Sequence, residues 1–394
     1  MSAAQRSNGT GPGRARLLLL AVAAIVALLV IAGCGGGSSS SSGSSTSESE
    51  PAETESNETG GGAEEGEESE AGGGKQEGFK VGVLTPGTEN DGSWGQAVSE
   101  GAQEAGEKYG AEVTIAANLE EPSQYQQQGL ALAQAGYNVI INANAAMGSV
   151  TEELAAKFPE VMFGQVAVGL EPLPENVATN TPQLPVATFQ AGVLAAEMSE
   201  TGTLGAIGGY EFPALTSEME GFALGARYAN PEIKILRTYI NTWTDAGKAK
   251  AAAQAQASQG ADIIFSATDQ ATQGMYQLAE GGGSLKYVIP QYLDKSEQAP
   301  NVVLTSAVYN LQGATGSFIE MYGDEDWKSE NVEFGIEDGV DLAPNPKMKI
   351  PAAAQKKLEE VEAAIESGKL KIPTIEELGS NESAEKIDLK SLEG

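Results

Sequence analysis

The stretch FKVGVLTPGTENDGSWGQ, residues 79–96, decides how this chain folds. Lys80 to Leu84 is a short run with β-branched residues, and turn chemistry follows it in Pro86, Gly87, Asn90, Asp91 and Gly92. After Ser93 the residues Trp94, Ala97, Val98, Gly101, Ala102 and Ala105 recur at helical spacing. This is a strand, a polar loop and a helix start, with Asp91 or Ser93 as the N-cap. In open α/β sheets ligands sit beyond the carboxyl ends of the strands, where such loops gather. One aromatic ring, Trp94, and the polar side chains of Asn90, Asp91 and Gln96 are thereby delivered to one loop at a pocket mouth. The same pattern also fits an ordinary strand–helix turn in which Trp94 is core.

Downstream of this unit, strands and helices alternate. Strands are expected at 112–116, 138–142, 161–166 and 177–179, and helices at 123–135, 150–158 and 186–199. A second series follows, with strands at 203–209, 233–239, 262–266, 287–290 and 302–306. Its helices are expected at 217–229, 246–259, 272–280 and 311–322. A last strand is expected within 334–342 and a charged helix over 352–366. Strands separated by helices of this length imply parallel sheets with right-handed crossovers. Two series of similar size suggest two lobes whose strand-end loops face a shared cleft, a favoured place for a ligand.

The totals exclude several chemistries. Of 394 residues, 23 are Lys or Arg and 55 are Asp or Glu, giving a net charge of −32, with no histidine and one cysteine. Without histidine there is no Ser-His-Asp triad, Cys-His pair or histidine metal site, and Cys34 alone makes neither a disulfide framework nor a cysteine metal cluster. The acidic balance argues against a nucleic-acid partner, because phosphate binding needs clustered cations. Gly202, Gly205 and Gly208 lack the spacing of a dinucleotide fingerprint.

The N-terminal region reads as processing and tether. Arg14 and Arg16 precede an apolar run from Leu17 to Ala32 that is too short for a comfortable bilayer span. The ending Ile31-Ala32-Gly33-Cys34 resembles a bacterial lipobox, which implies a signal peptide over 1–33 and lipidation of Cys34. Residues 34–78 are rich in glycine, serine and glutamate, a composition that cannot bury a core.

Five segments carry a family likeness, in order: the opening VGVLTPGTENDGSWGQA, TFQAGVLAAEMSETGTLGAIGG from Thr188, EGFALGARYANPEIKI from Glu220, GADIIFSATDQATQG from Gly260 and VVLTSAVYN from Val302. Together they resemble the basic membrane protein (Bmp) family, purine-nucleoside-receptor-like substrate-binding lipoproteins of ABC importers. The resemblance implies an α/β type I periplasmic-binding-protein fold, with two doubly wound lobes joined by a hinge and a ligand cleft between them. The substrate-binding domain is then expected over 79–372. Its N-lobe runs to about 185, its C-lobe spans about 200–305, late segments cross back, and a polar tail occupies 373–394.

It also implies a monomeric receptor on the extracytoplasmic face of the membrane, held by a lipid anchor. Such a receptor passes a small-molecule ligand to a permease and its ATPase and needs no cofactor or metal. By the family pattern Trp94 stacks on a flat base, with Asn90, Asp91 and Gln96 beside it, and Asn144 reads the base edge. Tyr210 or Phe212 would supply the second aromatic face. Trp243 is a further candidate, and Asp269 and Gln270 are candidates for polar contacts. The nucleoside binders carry an acid before the last core strand and a lysine after the next one. Here the first stretch is Val288-Ile289-Pro290-Gln291-Tyr292, without an acid until Asp294, and Tyr309 stands at the second. A nucleobase, a nucleoside or a flavin-like ring all remain open as ligands. The alternatives to an importer receptor are a ligand-sensing module for a membrane signalling partner and a hydrolase using two carboxylates.

Overall fold

The structure, a computed structural model, describes residues 78–394. The expected signal peptide, the Cys34 site and nearly all of the tether lie outside the described residues. The first sheet is assembled from the units β1 (Lys80–Leu84), α1 (Trp94–Tyr109), β2 (Glu112–Ala116), α2 (Pro122–Gln134), β3 (Val139–Asn142), α3 (Gly148–Lys157), β4 (Met162–Val166) and β5 (Val177–Pro182). The second comprises α4 (Leu184–Met198), β6 (Thr203–Gly208), α5 (Pro213–Ala229), β7 (Lys234–Tyr239), α6 (Ala246–Ser258), β8 (Ile263–Ala267), α7 (Gln273–Glu280) and β9 (Tyr287–Ile289). There follow β10 (Gln291–Tyr292), β11 (Thr305–Val308), α8 (Leu311–Gly323), β12 (Asn331–Phe334), β13 (Asp341–Pro344), α9 (Ala352–Glu366), α10 (Ile375–Leu378) and α11 (Ser383–Lys386).

Two parallel sheets result, in the orders β12-β5-β4-β3-β1-β2 and β7-β6-β8-β9. A three-stranded ribbon, β10-β11-β13, lies beside the second sheet through the β9–β10 continuity and carries one antiparallel pair. The sheet interiors are continuous apolar runs such as VIIN at β3 and IIFSA at β8, buried at every position, as expected where helices cover both faces. Helices α4 and α5 pack unusually closely. A Cβ at Gly192 would collide with the Phe222 carbonyl and one at Gly225 with the Phe189 carbonyl. The glycines therefore set the approach of the two backbones.

Three chain crossings join the lobes, at 182–184, 308–311 and 334–341, and they are laced together. The Gln183 amide donates to the Phe334 carbonyl at 2.8 Å, and its side chain donates to Glu333 Oε2 at 2.7 Å. Asn310, with φ of 45°, donates to the Asp338 carbonyl at 2.6 Å.

The late segments depart from the expectation of a single strand over 334–342. β12 joins the first sheet and β13 the ribbon, separated by a turn. Gly339 adopts φ of 84° there, and the Asp338 carboxylate accepts from the Gly335 amide at 2.9 Å, which breaks the run. The strand expected at 302–306 starts later, at Thr305, and Val303 makes only an isolated bridge to Val288.

The segment after Ile372, expected as a polar tail, packs against the second lobe. Leu378, Ala384 and Leu392 are buried with Phe189 and Leu224. The buried Glu220 carboxylate pairs with Arg237 and accepts from the Ala384 amide at 2.9 Å, and Arg227 donates to the Ala384 carbonyl. Among the described residues no helix is long and apolar enough to cross a membrane.

Candidate functional site

The loop after β1 is built around one carboxylate. Asp91 accepts from the backbone amides of Ser93 at 2.7 Å, Gly95 at 3.0 Å and Gln96 at 3.0 Å. An acid at the N-terminus of α1 satisfies amides that have no helical partner and sits at the positive end of the helix dipole. Asp91 is therefore the effective cap, whereas the Ser93 side chain does not cap the helix. Gln96 closes the turn by accepting from the Gly92 amide at 3.0 Å. Trp94, at the first helical position, donates its indole N–H to the Ala143 carbonyl at 2.8 Å, tying the loop to the end of β3.

Freed from capping, the buried Ser93 hydroxyl reaches across to the second lobe. It donates to Asp269 Oδ1 and accepts from Lys295 Nζ at 3.1 Å. Asp269 follows β8 in a left-handed conformation, φ 50°, and Lys295 follows β10 and is only 3% exposed. Burial pushes the Asp269 carboxyl up to about 6, against the opposing pull of the Lys295 ammonium and the Ser93 hydroxyl. Burial likewise draws Lys295 below its ordinary value, against the pull of Asp269 and Asp91. One serine hydroxyl thus bridges a half-buried carboxyl and a buried ammonium and holds the lobes in contact.

Beside this bridge is a cavity of about 260 Å³, lined by Asn90, Asp91, Gly92 and Gln96 from the first lobe and by Asp269, Gln270, Thr272, Gln273, Lys295 and Gln298 from the second. It lies at the carboxyl ends of β1 and β8, where ligands of open α/β sheets bind. A larger, open hollow of about 500 Å³ near Gly282 and Asn301 lies at the amino end of β9 instead.

The residues lining this cavity are all polar or glycine, and Trp94 is not among them; an aromatic cluster adjoins it through Lys295, whose Nζ lies 5.9 Å from the centre of the Tyr292 ring. Trp94 meets the edge of Tyr292 at a centroid distance of 5.4 Å, and Tyr292 meets Tyr309 at 5.6 Å in the same manner. Tyr292, the last residue of the stretch in which an acid was expected and is missing, thus packs on Tyr309, which stands where a lysine was expected. Tyr292 has φ of 79°, a conformation that a bulky residue adopts only when its surroundings hold it there. Behind it the Tyr309 hydroxyl lies 3.0 Å from Glu218 Oε2 and 3.5 Å from Gln291 Oε1.

The structure brings Asn90, Asp91, Gln96, Asp269 and Gln270 around one cavity. It places the other candidates differently. Asn144 is occupied within the first lobe, donating to the Tyr125 hydroxyl at 2.8 Å and accepting from the Ala146 amide at 2.9 Å. Tyr210 and Phe212 pack on Trp243, at 5.1 and 6.3 Å, while the ring against Trp94 is Tyr292. The Trp243 carbonyl accepts from the Ala271 amide at 2.9 Å, so this aromatic group borders the Asp269 turn. Asp294, the next acid after Tyr292, closes a local turn onto Ser296.

Sequence reasoning missed Ser93 as a cross-lobe contact, and it missed Lys295 and Glu218 altogether. Glu218 had a signal: it shares a helical face with Leu215 and Phe222, where an acid is out of place unless it is used. Lys295 had none, because its burial comes from the closing of the lobes. Among the described residues no cluster of potential metal ligands occurs.

Comparison with known proteins gives the family and the fold. Residues 79–376 match the family model Bmp, described as ABC transporter substrate-binding protein PnrA-like. A purine-binding protein of Brucella abortus is 31% identical over 304 residues, covering 75% of this chain and 83% of the relative. Basic membrane protein A2 of Borrelia garinii is 28% identical, covering 75% of this chain and 88% of that protein. A solute-binding protein of an ABC transporter system from Aeropyrum pernix superposes with a TM-score of 0.70 at 19% identity, covering 79% of this chain and 98% of that one. The fold is that of the type I periplasmic binding proteins, and the family and its structural neighbours are solute-binding proteins and not enzymes. Substrate-binding proteins of ABC importers work outside the cytoplasm, where they bind small ligands and deliver them to the transporter. With an interlobe cavity at the strand ends and a family match over three quarters of its length, the chain belongs to the Bmp family of PnrA-like ABC transporter substrate-binding proteins.

Proposed function

We propose that the protein captures a planar polar ligand, a purine base or nucleoside, between its lobes and delivers it to an ABC permease, while Cys34 carries a lipid that anchors it to the membrane. The observation that carries this reading is the bridge from Ser93 to Asp269 and Lys295, because it joins the lobes beside a polar cavity, with Trp94 next to Ser93 in the chain and Tyr292 against Lys295. A base entering there would find the Trp94 and Tyr292 rings and the acids and amides of the cavity. Base–aromatic stacking contributes roughly 1–3 kcal/mol per base, and the polar groups would fix orientation. The purine-binding relative supports a purine over other flat ligands. The tyrosines at positions 292 and 309 favour a ligand gripped mainly through its ring system. Isothermal titration of the full chain with purine bases and nucleosides tests the reading. Saturable binding with one ligand per chain is expected; no heat and no thermal stabilisation with any purine would overturn it.

A further inference from the structure

Lys295 is the one basic side chain in the cavity lining, which otherwise offers a glycine, a threonine, two carboxyls and five side-chain amides. It is 3% exposed, and its backbone is fixed where its own amide donates to the buried Ser306 hydroxyl at 3.0 Å. Its Nζ makes a single hydrogen bond, to Ser93 Oγ at 3.1 Å, and among the described residues no carboxylate forms an ion pair with it. Asp269 and Asp91 attract it from further off. The centre of the Tyr292 ring, 5.9 Å away, is at the outer limit of a cation–π contact.

The Ser93 hydroxyl donates its only hydrogen to Asp269, so it is the acceptor in its bond with Lys295. A lysine side chain carries two N–H groups as the free amine and three as the ammonium. At least one N–H of Lys295 is therefore left without an acceptor in either state, on a side chain that the closed lobes keep from bulk water. An unmet buried donor is costly. The cavity that Lys295 lines is where an acceptor can be supplied.

We propose that Lys295 is a specificity-determining ligand contact: its free N–H donates to a ring nitrogen or ring carbonyl of the bound heterocycle, on the same nitrogen that latches the lobes through Ser93. The proposal rests on the planar-ligand reading above and narrows it. A ligand with an acceptor at that point satisfies the donor that closure strands. An analogue of the same shape with C–H there leaves it stranded, which is how hydrogen-bonding sites reject analogues lacking one polar atom. Because Lys295 sits on the second lobe and its latch on the first, recognition of the acceptor and closure of the lobes meet at one atom.

The test is calorimetric titration of the full chain with purine bases and with analogues that each delete one acceptor. These are adenine against its deaza analogues, in which one ring nitrogen becomes CH, and hypoxanthine against unsubstituted purine, which lacks the carbonyl. In the wild type one deletion should weaken binding at least about tenfold, a difference of about 1.4 kcal/mol, and this readout needs no variant to fold. Lys295→Met should bring that pair of ligands to within about threefold of each other, because it removes the N–H groups and keeps an unbranched side chain. Ser93→Ala, which removes the latch and keeps the lysine, should weaken both ligands and preserve the ratio between them. That preserved ratio separates contact with the ligand from an effect on closure alone. A wild type that tolerates every deletion within about threefold would overturn the contact and leave the purine reading standing. So would a tenfold discrimination that survives in a folded Lys295→Met protein, or one that vanishes in Ser93→Ala. Failure of every purine to bind would overturn both.

Discussion

Replacing Ser93 by alanine separates lobe closure from folding. The hydroxyl makes two bonds, one to a carboxylate and one to an ammonium, and both cross between the lobes. It takes no part in capping α1, and the Ser93 amide keeps its bond to Asp91 in the variant. Hydrogen bonds to charged groups contribute about 1.5–3 kcal/mol each. Asp269 and Lys295 both belong to the second lobe and still attract each other electrostatically when the hydroxyl is gone, so the closed form should lose about 2–3 kcal/mol rather than the full sum. That corresponds to a roughly 30- to 150-fold shift toward the open form. A ligand that binds the closed form should weaken by the same factor, since closure is then part of its affinity. Small-angle scattering of the ligand-free protein reads the opening as a larger radius of gyration, and calorimetry reads the affinity. Superposable scattering curves and an unchanged affinity in Ser93→Ala would refute the assignment of the bridge as the latch.

Three further outcomes follow from other parts of the site. Trp94→Phe should fold and retain most of the ligand affinity, whereas Trp94→Ala should lose about 1–3 kcal/mol of binding with the stacking surface; calorimetry in which Trp94→Ala binds as the wild type does would remove Trp94 from the site. Burial raises the folded-state pKa of Glu218 above its unfolded value, so its contribution to stability is full below the ordinary carboxylate range and is lost as pH rises above that range toward the raised value. Urea melts should therefore show Glu218→Gln gaining on the wild type, by up to about 1.4 kcal/mol per pH unit, as pH rises above the ordinary carboxylate range, and a difference that stays flat there would refute the raised Glu218 pKa. Cys34→Ala should move the protein from the detergent phase to the aqueous phase on phase partitioning; unchanged partitioning would argue against a lipid at this position.

Much of the fold was legible because its elements are short, strongly patterned and punctuated. The KVGVL strand, the turn residues after it and the helix from Trp94 lie where the pattern places them. The late chain was less legible. The strand expected within 334–342 straddles the end of Asn331–Phe334 and the start of Asp341–Pro344, and the Asp338 turn and the left-handed Gly339 send these two strands to different sheets. Within the site, the polar loop residues could be gathered from the strand-end rule alone. The partners of Trp94 could not. Tyr210, Phe212 and Tyr292 are all aromatic residues close after strands of the second lobe, and the left-handed backbone at Tyr292 is what turns that ring toward Trp94. Sequence also could not separate the two roles of Asp91 and Ser93. Three backbone amides converge on the Asp91 carboxylate, which releases the serine hydroxyl for the opposite lobe.

The most direct test of the central claim is native mass spectrometry of the full chain, purified without denaturation. A receptor closed over its ligand should carry an additional mass equal to that of a purine base or nucleoside, released on unfolding and identifiable by fragmentation. A chain that carries no added mass, and gains none on incubation with purines, would contradict the claim that this cleft is a purine site.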